Sequence, residues 1–399
     1  MKPGVNSNCL KQIVLNFLGC LLILTVFLFK SHYTQAQEEE RKWTLNGYVK
    51  DLVTLNFADD STLVDNLIHN RINFKWYPND HLTIHFEVRN RIFHGDLVKA
   101  IPTYSDFIDV NDDYFDLSAT IVDENSLVIH TMIDRAYLEY TKGDWEIKVG
   151  RRRVNWGKNL VWNPNDLFNT YSFFDFDYEE RPGSDAVRVK KYTGFASSFE
   201  FASNISNQFD EVVMAGMWSL NKSGYDVQFI GGKAQEDIAL GAGWAGNIKK
   251  GGFKGELTYF IPYKTNTDNP AWVGSISGDY SFKNSLYLHG SILFNSAGDS
   301  KPLSPLILSA VDKLTARDLS LYRYTTFLQA SYTLHPLVNT ALASIYYPSD
   351  KTLFLNPTIT ISIVTNLDLD LVGQIIYDDK SKNYKASAKL MFVRLKWSY

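Results

Sequence analysis

From residue 43 to residue 399 apolar side chains recur at every second position. In the stretch 81–92, Leu82, Ile84, Phe86 and Val88 fall on one side, and His85, Glu87, Arg89 and Arg91 on the other. A period of two belongs to a strand, and no helical period of any length or linker interrupts it. The pattern predicts about 18 strands, near 43–55, 66–77, 81–93, 131–141, 144–154, 184–192, 195–203, 211–220, 225–234, 238–247, 253–263, 271–281, 285–295, 321–334, 337–347, 352–364, 367–377 and 384–399. Nearly every strand has one large apolar face and one polar face. So many apolar faces need a solvent, and lipid is the economical one.

The connections sort into two kinds. After every even-numbered predicted strand the turn is tight, as at Pro78-Asn79-Asp80, Lys142-Gly143, Phe282-Lys283, His335-Pro336 and Thr365-Asn366. The three long connections, near 94–130, 155–183 and 296–320, all follow odd strands, as extracellular loops do when both ends of the chain are periplasmic. Hydrocarbon offers no partner for backbone N–H and C=O groups, so a spanning sheet must close on itself. The expected fold is all-β: a transmembrane antiparallel up-and-down barrel, forming one domain over 43–399 around an aqueous lumen, with an inward-folded loop.

Both ends of the sequence fit this reading. Residues 1–36 carry Lys2 and Lys11 without an acid, an apolar run Ile13 to Phe29, and the small-residue site Thr34-Gln35-Ala36, which predicts a secretory signal followed by a short segment 37–42. The alternative is a transmembrane anchor, for which 17 apolar residues is about the lower limit. Both cysteines, Cys9 and Cys20, lie in the predicted signal, leaving no thiol for disulfides, metal or catalysis. Its removal takes Lys2, Lys11 and Lys30 and moves the formal net charge from −4 to −7, which argues against a nucleic-acid partner. At the other end Met391, Val393, Leu395, Trp397 and Tyr399 alternate with Arg394, Lys396 and Ser398. An amphipathic strand closed by an aromatic residue resembles the signal read by the barrel-assembly machinery of bacterial outer membranes. Outer-membrane lipid, that machinery and a small solute are the expected partners.

The segment Val149-Gly150-Arg151-Arg152-Arg153-Val154-Asn155-Trp156-Gly157, then Asn163-Pro164-Asn165-Asp166 and Arg181-Pro182-Gly183-Ser184-Asp185, is similar to a pattern in outer-membrane porin-like families. An uncharacterised porin-like branch shares the Gly-Arg, Trp-Gly, Asn-Pro-x-Asp and Pro-Gly sequence; alginate-export porins resemble it more distantly. The resemblance is specific over about 40 residues and implies passage of small solutes without a catalytic residue or cofactor.

Alternation places Arg71, Lys75, Arg89, Arg91, Arg135, Lys148, Arg152, Arg188 and Lys190 on the lumen face, with Glu87, Glu139 and Glu146. Such a wall either selects anions and carboxylated solutes or forms a ladder of cross-strand ion pairs. Later strands offer neutral lumen faces such as Ala239-Gly241-Gly243 and Asn356, Thr358, Thr360 and Ser362. The loop 155–183 is the candidate constriction, through Trp156, Asn163, Pro164, Asp166, Phe168, Asp175, Asp177, Glu179 and Arg181. Its acids either face the basic wall across the pore or brace the loop. At Arg151 and Arg153 the parity turns charge outward, so the strand should leave the hydrocarbon or bulge there.

Other chemistry is weakly signalled. Asp109-Val110-Asn111-Asp112-Asp113 has calcium-loop spacing but lacks the turn Gly, and Thr120 stands where a bidentate Glu belongs, so a solvated acidic loop is expected and no metal. Histidines are scattered without a metal motif, and no Gly-x-Ser-x-Gly setting occurs. A passive channel is the leading expectation. A barrel hydrolase would require Ser, His and acid at one rim, and an adhesion or assembly component would bind a partner through its long loops.

Overall fold

The computed structural model describes residues 42–58, 61–111, 113–170, 183–264, 269–298, 314–378 and 384–399. The predicted signal 1–36 lies outside them. Strands follow in the order β1 (Trp43–Phe57), β2 (Thr62–Asn79), β3 (Leu82–Gly95), β4 (Ser118–Glu124), β5 (Leu127–Lys142), β6 (Trp145–Arg152), β7 (Ser184–Gly194), β8 (Ser197–Asn204), β9 (Val213–Lys222) and β10 (Tyr225–Ala234). They continue as β11 (Asp237–Ile248), β12 (Gly251–Pro262), β13 (Ala271–Ser281), β14 (Leu286–Asn295), β15 (Tyr324–His335), β16 (Val338–Tyr347), β17 (Thr352–Val364), β18 (Leu367–Asp378) and β19 (Lys385–Ser398). Two single-turn helices, α1 (Asp96–Ala100) and α2 (Tyr104–Ile108), stand between β3 and β4.

Each strand pairs antiparallel with its neighbour, and β19 pairs with β1, from Tyr48 opposite Ser398 to Asn56 opposite Leu390. The sheet is thus a closed barrel of 18 strands. Closure continues to the last residue, where Tyr399 and Gly47 exchange both backbone hydrogen bonds at 3.0 Å. The remaining strand, β4, pairs only with the first half of β5, whose second half pairs with β6. The predicted start of this strand at 131 therefore moves back to Leu127, and part of the expected loop 94–130 is a hairpin. A register irregularity between Thr120 and Val122 interrupts the alternation that would have revealed it.

The outer face is the apolar one. Trp43, Trp76, Phe86, Leu138, Trp145, Val149, Leu257, Trp272, Ile276, Leu288, Ile292, Leu328 and Leu342 are all exposed, an arrangement that only hydrocarbon can solvate over so large an area. Cross-strand aromatic rows reinforce it: Phe199 stacks on Trp218, which meets Phe229, and Tyr259 stacks on Trp272 at 4.3 Å. Along β13 the alternation is sharp. Trp272 and Ile276 are exposed, whereas Ala271, Val273, Ser275 and Ser277 are buried on the inward side.

The arginine run also resolves. Gly150 takes φ +121°, a value that a side-chain-bearing residue rarely adopts, and β6 ends two residues later. Arg151 keeps outward parity but is buried. It makes a two-pronged ion pair with Asp185 at 2.8 and 3.0 Å and donates to the Phe115 carbonyl, so the connection before β4 covers the outward charge.

Replacing Ile276, at the middle of β13, with Arg should cost about 2–4 kcal/mol of folding into bilayers. Denaturant titration in lipid vesicles and the heat-dependent gel shift of the folded barrel measure it. A loss below about 0.5 kcal/mol, the usual limit for an exposed site in water, would contradict a hydrocarbon-facing position.

Candidate functional site

The inward face of β2, β3, β5, β6, β7 and β8 carries a continuous ladder of charges. Arg71, fully buried, donates to Glu87 at 2.6 Å and to Asp134, and Arg89 reaches the other oxygen of Asp134 at 3.1 Å. Further along the ladder Lys148 lies 3.2 Å from Glu139 and 3.1 Å from Glu146. Arg188 joins Glu146 and Glu200, each at 2.5 Å. His85 stacks on Tyr137 at 4.2 Å and sits 3.3 Å from Glu139. The arrangement follows from cross-strand spacing: long side chains on one face of adjacent strands must meet, and like charges there are destabilising.

Asp134 was invisible to alternation. A bulge on β5, opposite Glu87 and Val88 of β3, pairs Glu87 with Arg135 and Val88 with Ile133, leaving Asp134 as an extra residue on the same face as Arg135. Two consecutive residues are thereby buried, and Arg135 donates to the Asp134 carbonyl. Glu200 was missed for a different reason: the predicted strand 195–203 was taken with the neutral part of the wall. Arg91 donates to His130 Nδ1 and the Ile108 carbonyl, both at 3.0 Å.

Among the described residues, Arg152, Lys190 and Lys75 of the predicted wall show no ion pair. Arg152 lies over the Tyr137 ring at 5.8 Å and donates to the Arg153 carbonyl, while its buried Nη1 finds no hydrogen-bond partner. Lys190 lies over the Tyr192 ring at 4.7 Å. Lys75 sits opposite His85 in register, half-exposed.

The residues 153–170 leave β6 and dock on the inward face of distant strands. Glu256 of β12, 2% exposed, accepts the backbone N–H groups of Lys158 at 2.5 Å and of Asn159 and Asn165 at 2.9 Å. Thr258 donates to the Pro164 carbonyl and to Asn165, Gln228 to the Trp156 carbonyl, and Ser275 to the Trp162 carbonyl. Gly241 and Gly243 explain themselves here: a Cβ on either would lie within 2.8 Å of the Asn165 amide. Trp156, buried, donates to Glu200 at 2.6 Å and meets Phe168 edge-on. Asn163 is buried beside Gly157.

Asp166 is 1% exposed and accepts from Arg153 and from Trp156 N–H, contacts that brace the segment. Asp175, Asp177, Glu179 and Arg181 lie outside the described residues.

Part of the interior is packed, contrary to a uniformly aqueous lumen. Val154, Trp156, Trp162 and Leu167 join Leu319 and Tyr322 of the 314–323 connection and inward residues such as Phe260, Val273, Leu293, Phe327 and Ile345 in one apolar cluster. The acidic stretch near Asp109 is likewise used by the chain itself, since Asp109 accepts from Ser118, Thr120 and His130.

No protein-family model matches the sequence, and no curated protein does. The fold is similar to OccAB2 of Acinetobacter baumannii (8% identity, TM-score 0.57, covering 90% of this chain and 98% of that one). It is also similar to OccD3 (OpdP) of Pseudomonas aeruginosa (8%, 0.55, 90% and 91%) and to OccK3 (OpdO) of the same organism (8%, 0.53, 89% and 95%). The chain shares the barrel fold of these proteins.

Substituting Asp134 with Asn should cost on the order of 3 kcal/mol, because Arg71 and Arg89 lose a shared buried anion. Glu256→Gln should cost about 2 kcal/mol and admit protease at Lys158, because a neutral amide oxygen accepts three N–H groups poorly. Denaturant midpoints and limited proteolysis of the inserted barrel measure both; wild-type values in either variant would reject the corresponding role.

Proposed function

We propose that this barrel is an outer-membrane, porin-like channel through which small solutes diffuse passively, along a path displaced from the barrel axis toward the charged wall. The carrying observation is the division of the interior. The segment 153–170 is fastened to β10, β12 and β13 and packs into an apolar cluster there, while the inward faces of β2, β3 and β5 to β7 carry the charged ladder. The segment narrows what is left. Outer-membrane lipid solvates the outer face, and β19 with its aromatic end is offered to the barrel-assembly machinery.

A preference for anionic or carboxylated solutes rests on Arg152, Lys190 and Lys75, the wall cations without an ion pair among the described residues. Arg71, Arg89 and Arg188 act as braces instead, since each is held by at least one carboxylate. An ion pair presents little net field to a passing solute, whereas an uncompensated cation in a narrow, low-dielectric passage presents a large one. The hydrolase alternative needs a histidine placed to activate a hydroxyl. His130 and His85 are engaged with Arg91, Asp109 and Glu139, which favours the channel.

Planar-bilayer recording of the purified protein tests the reading. Wild type should conduct, and Arg152→Gln with Lys190→Gln should lower the anion-to-cation permeability ratio, most strongly at low salt where screening is weak. Arg188→Gln should lower stability and leave the ratio nearly unchanged. A folded barrel that passes no current rejects the channel, and an unchanged ratio in the double variant rejects the anion preference.

A further inference from the structure

We propose that His130 is an acid-sensitive clasp holding the segment 96–109 over the inward face of β3 and β5 at the long-loop mouth of the barrel. The consequence for flux rests on the channel reading; the clasp itself concerns only the order of this segment. Several contacts seat it. Val98 of α1 is buried against Phe93 and Val128, with Leu67, Tyr104 and Ile108 packed around them. Asp65 accepts from Leu97 N–H and Asp96 from Val64 N–H, each at 2.9 Å, and Ser105 donates to Asp123.

The far end of the segment, at Ile108 and Asp109, is tied to His130, with Ser118 and Thr120 also donating to Asp109. Arg91 donates from the same nitrogen to the Ile108 carbonyl and to His130 Nδ1, and His130 Nε2 lies 3.0 Å from Asp109. A guanidinium has only donors, so Nδ1 must present its lone pair and Nε2 must carry the hydrogen given to Asp109. That assignment describes a neutral ring in one tautomer. A second proton would sit on Nδ1, pointing at Arg91, and would set two cations 3.0 Å apart. The ring is fully buried, so water has no access to relieve them.

The groups facing His130 are Arg91 and Arg89 from β3, Asp109 from the connection after α2, and Thr120 opposite it on β4. The Arg91 guanidinium against Nδ1, with Arg89 nearby although itself held by Asp134, makes the closed arrangement one for the neutral ring. Asp109 does not share the titration. Partial burial works to raise its carboxyl, but hydrogen bonds from Ser118, His130 and Thr120 outweigh that and hold it below the ordinary value. The histidine is therefore the member that can take up a proton as the pH falls. When it does, Arg91 loses its acceptor on the ring and its hold on the end of α2.

Hydrogen exchange of the full barrel in lipid nanodiscs, with rates corrected for intrinsic pH dependence, tests the clasp at pH 7.5 and 5.0. Amides of 97–109 should lose about tenfold protection at the lower pH in wild type, as expected of local opening. His130→Gln, which cannot titrate, should show no such difference. Equal protection of wild type at both pH values, or an acid response retained in His130→Gln, would overturn the proposal. Bilayer recordings separate it from the channel reading: a barrel that shows the exchange response but carries no current refutes the channel and leaves the clasp standing.

Discussion

Every backbone amide that enters hydrocarbon must find its hydrogen-bond partner within the protein, and the whole molecule follows from that demand. A flat sheet would expose two unpaired edges to lipid. Pairing β19 with β1 removes both and commits the chain to strands with two unlike faces. The outer face is then fixed by lipid as apolar. The inner face is released from that requirement and becomes the only place where the chain can put charge within the membrane. Arg151 tests the rule from the other side: its outward parity is tolerated because it pairs with Asp185 and is covered by the connection before β4, at the very end of its strand.

Confinement to one face makes the charges interdependent. Neighbouring inward side chains meet across strands, so a cation such as Arg71 or Arg188 next to Glu87 or Glu200 is the low-energy arrangement, and a row of uncompensated cations would repel itself. A ladder of this kind resists shear between strands. It also cancels most of its own field. Of the two expectations for this wall, the brace describes Arg71, Arg89 and Arg188, and Arg152 and Lys190 are set apart from that paired majority.

What the sequence made legible was whatever obeys a period of two. Leu82, Ile84 and Phe86 against His85 and Glu87 gave the strand, its faces and, repeated, the barrel and its alternation of short turns with long loops. What it hid were the departures from that period and the contacts across the lumen. Asp134 shares a face with Arg135 only because of a bulge. The hairpin of β4 and β5 was masked by an irregularity at its centre. Glu256 lies almost a hundred residues from the N–H groups it accepts, and no local pattern joins them, although an acid at inward parity in an otherwise neutral stretch was a signal that could have been read. Whether Asp166 faced the pore or braced its loop was left open by the sequence; its burial under Arg153 and Trp156 depends on the docking of the entire segment.

That docking has its own logic. A loop with Trp156, Trp162 and Leu167 is as insoluble in the lumen as on the cell surface unless it meets apolar partners, and Phe260, Val273 and Phe327 supply them on inward positions that a purely aqueous pore would not use. The backbone that travels with those side chains leaves water too, and must be paired. Glu256, Thr258, Gln228 and Ser275 do so from the wall, which is why polar residues punctuate the apolar inner faces of β10, β12 and β13. The constraint that closes the barrel outside thus reappears inside it. Wherever the chain abandons water, it brings hydrogen-bond partners along.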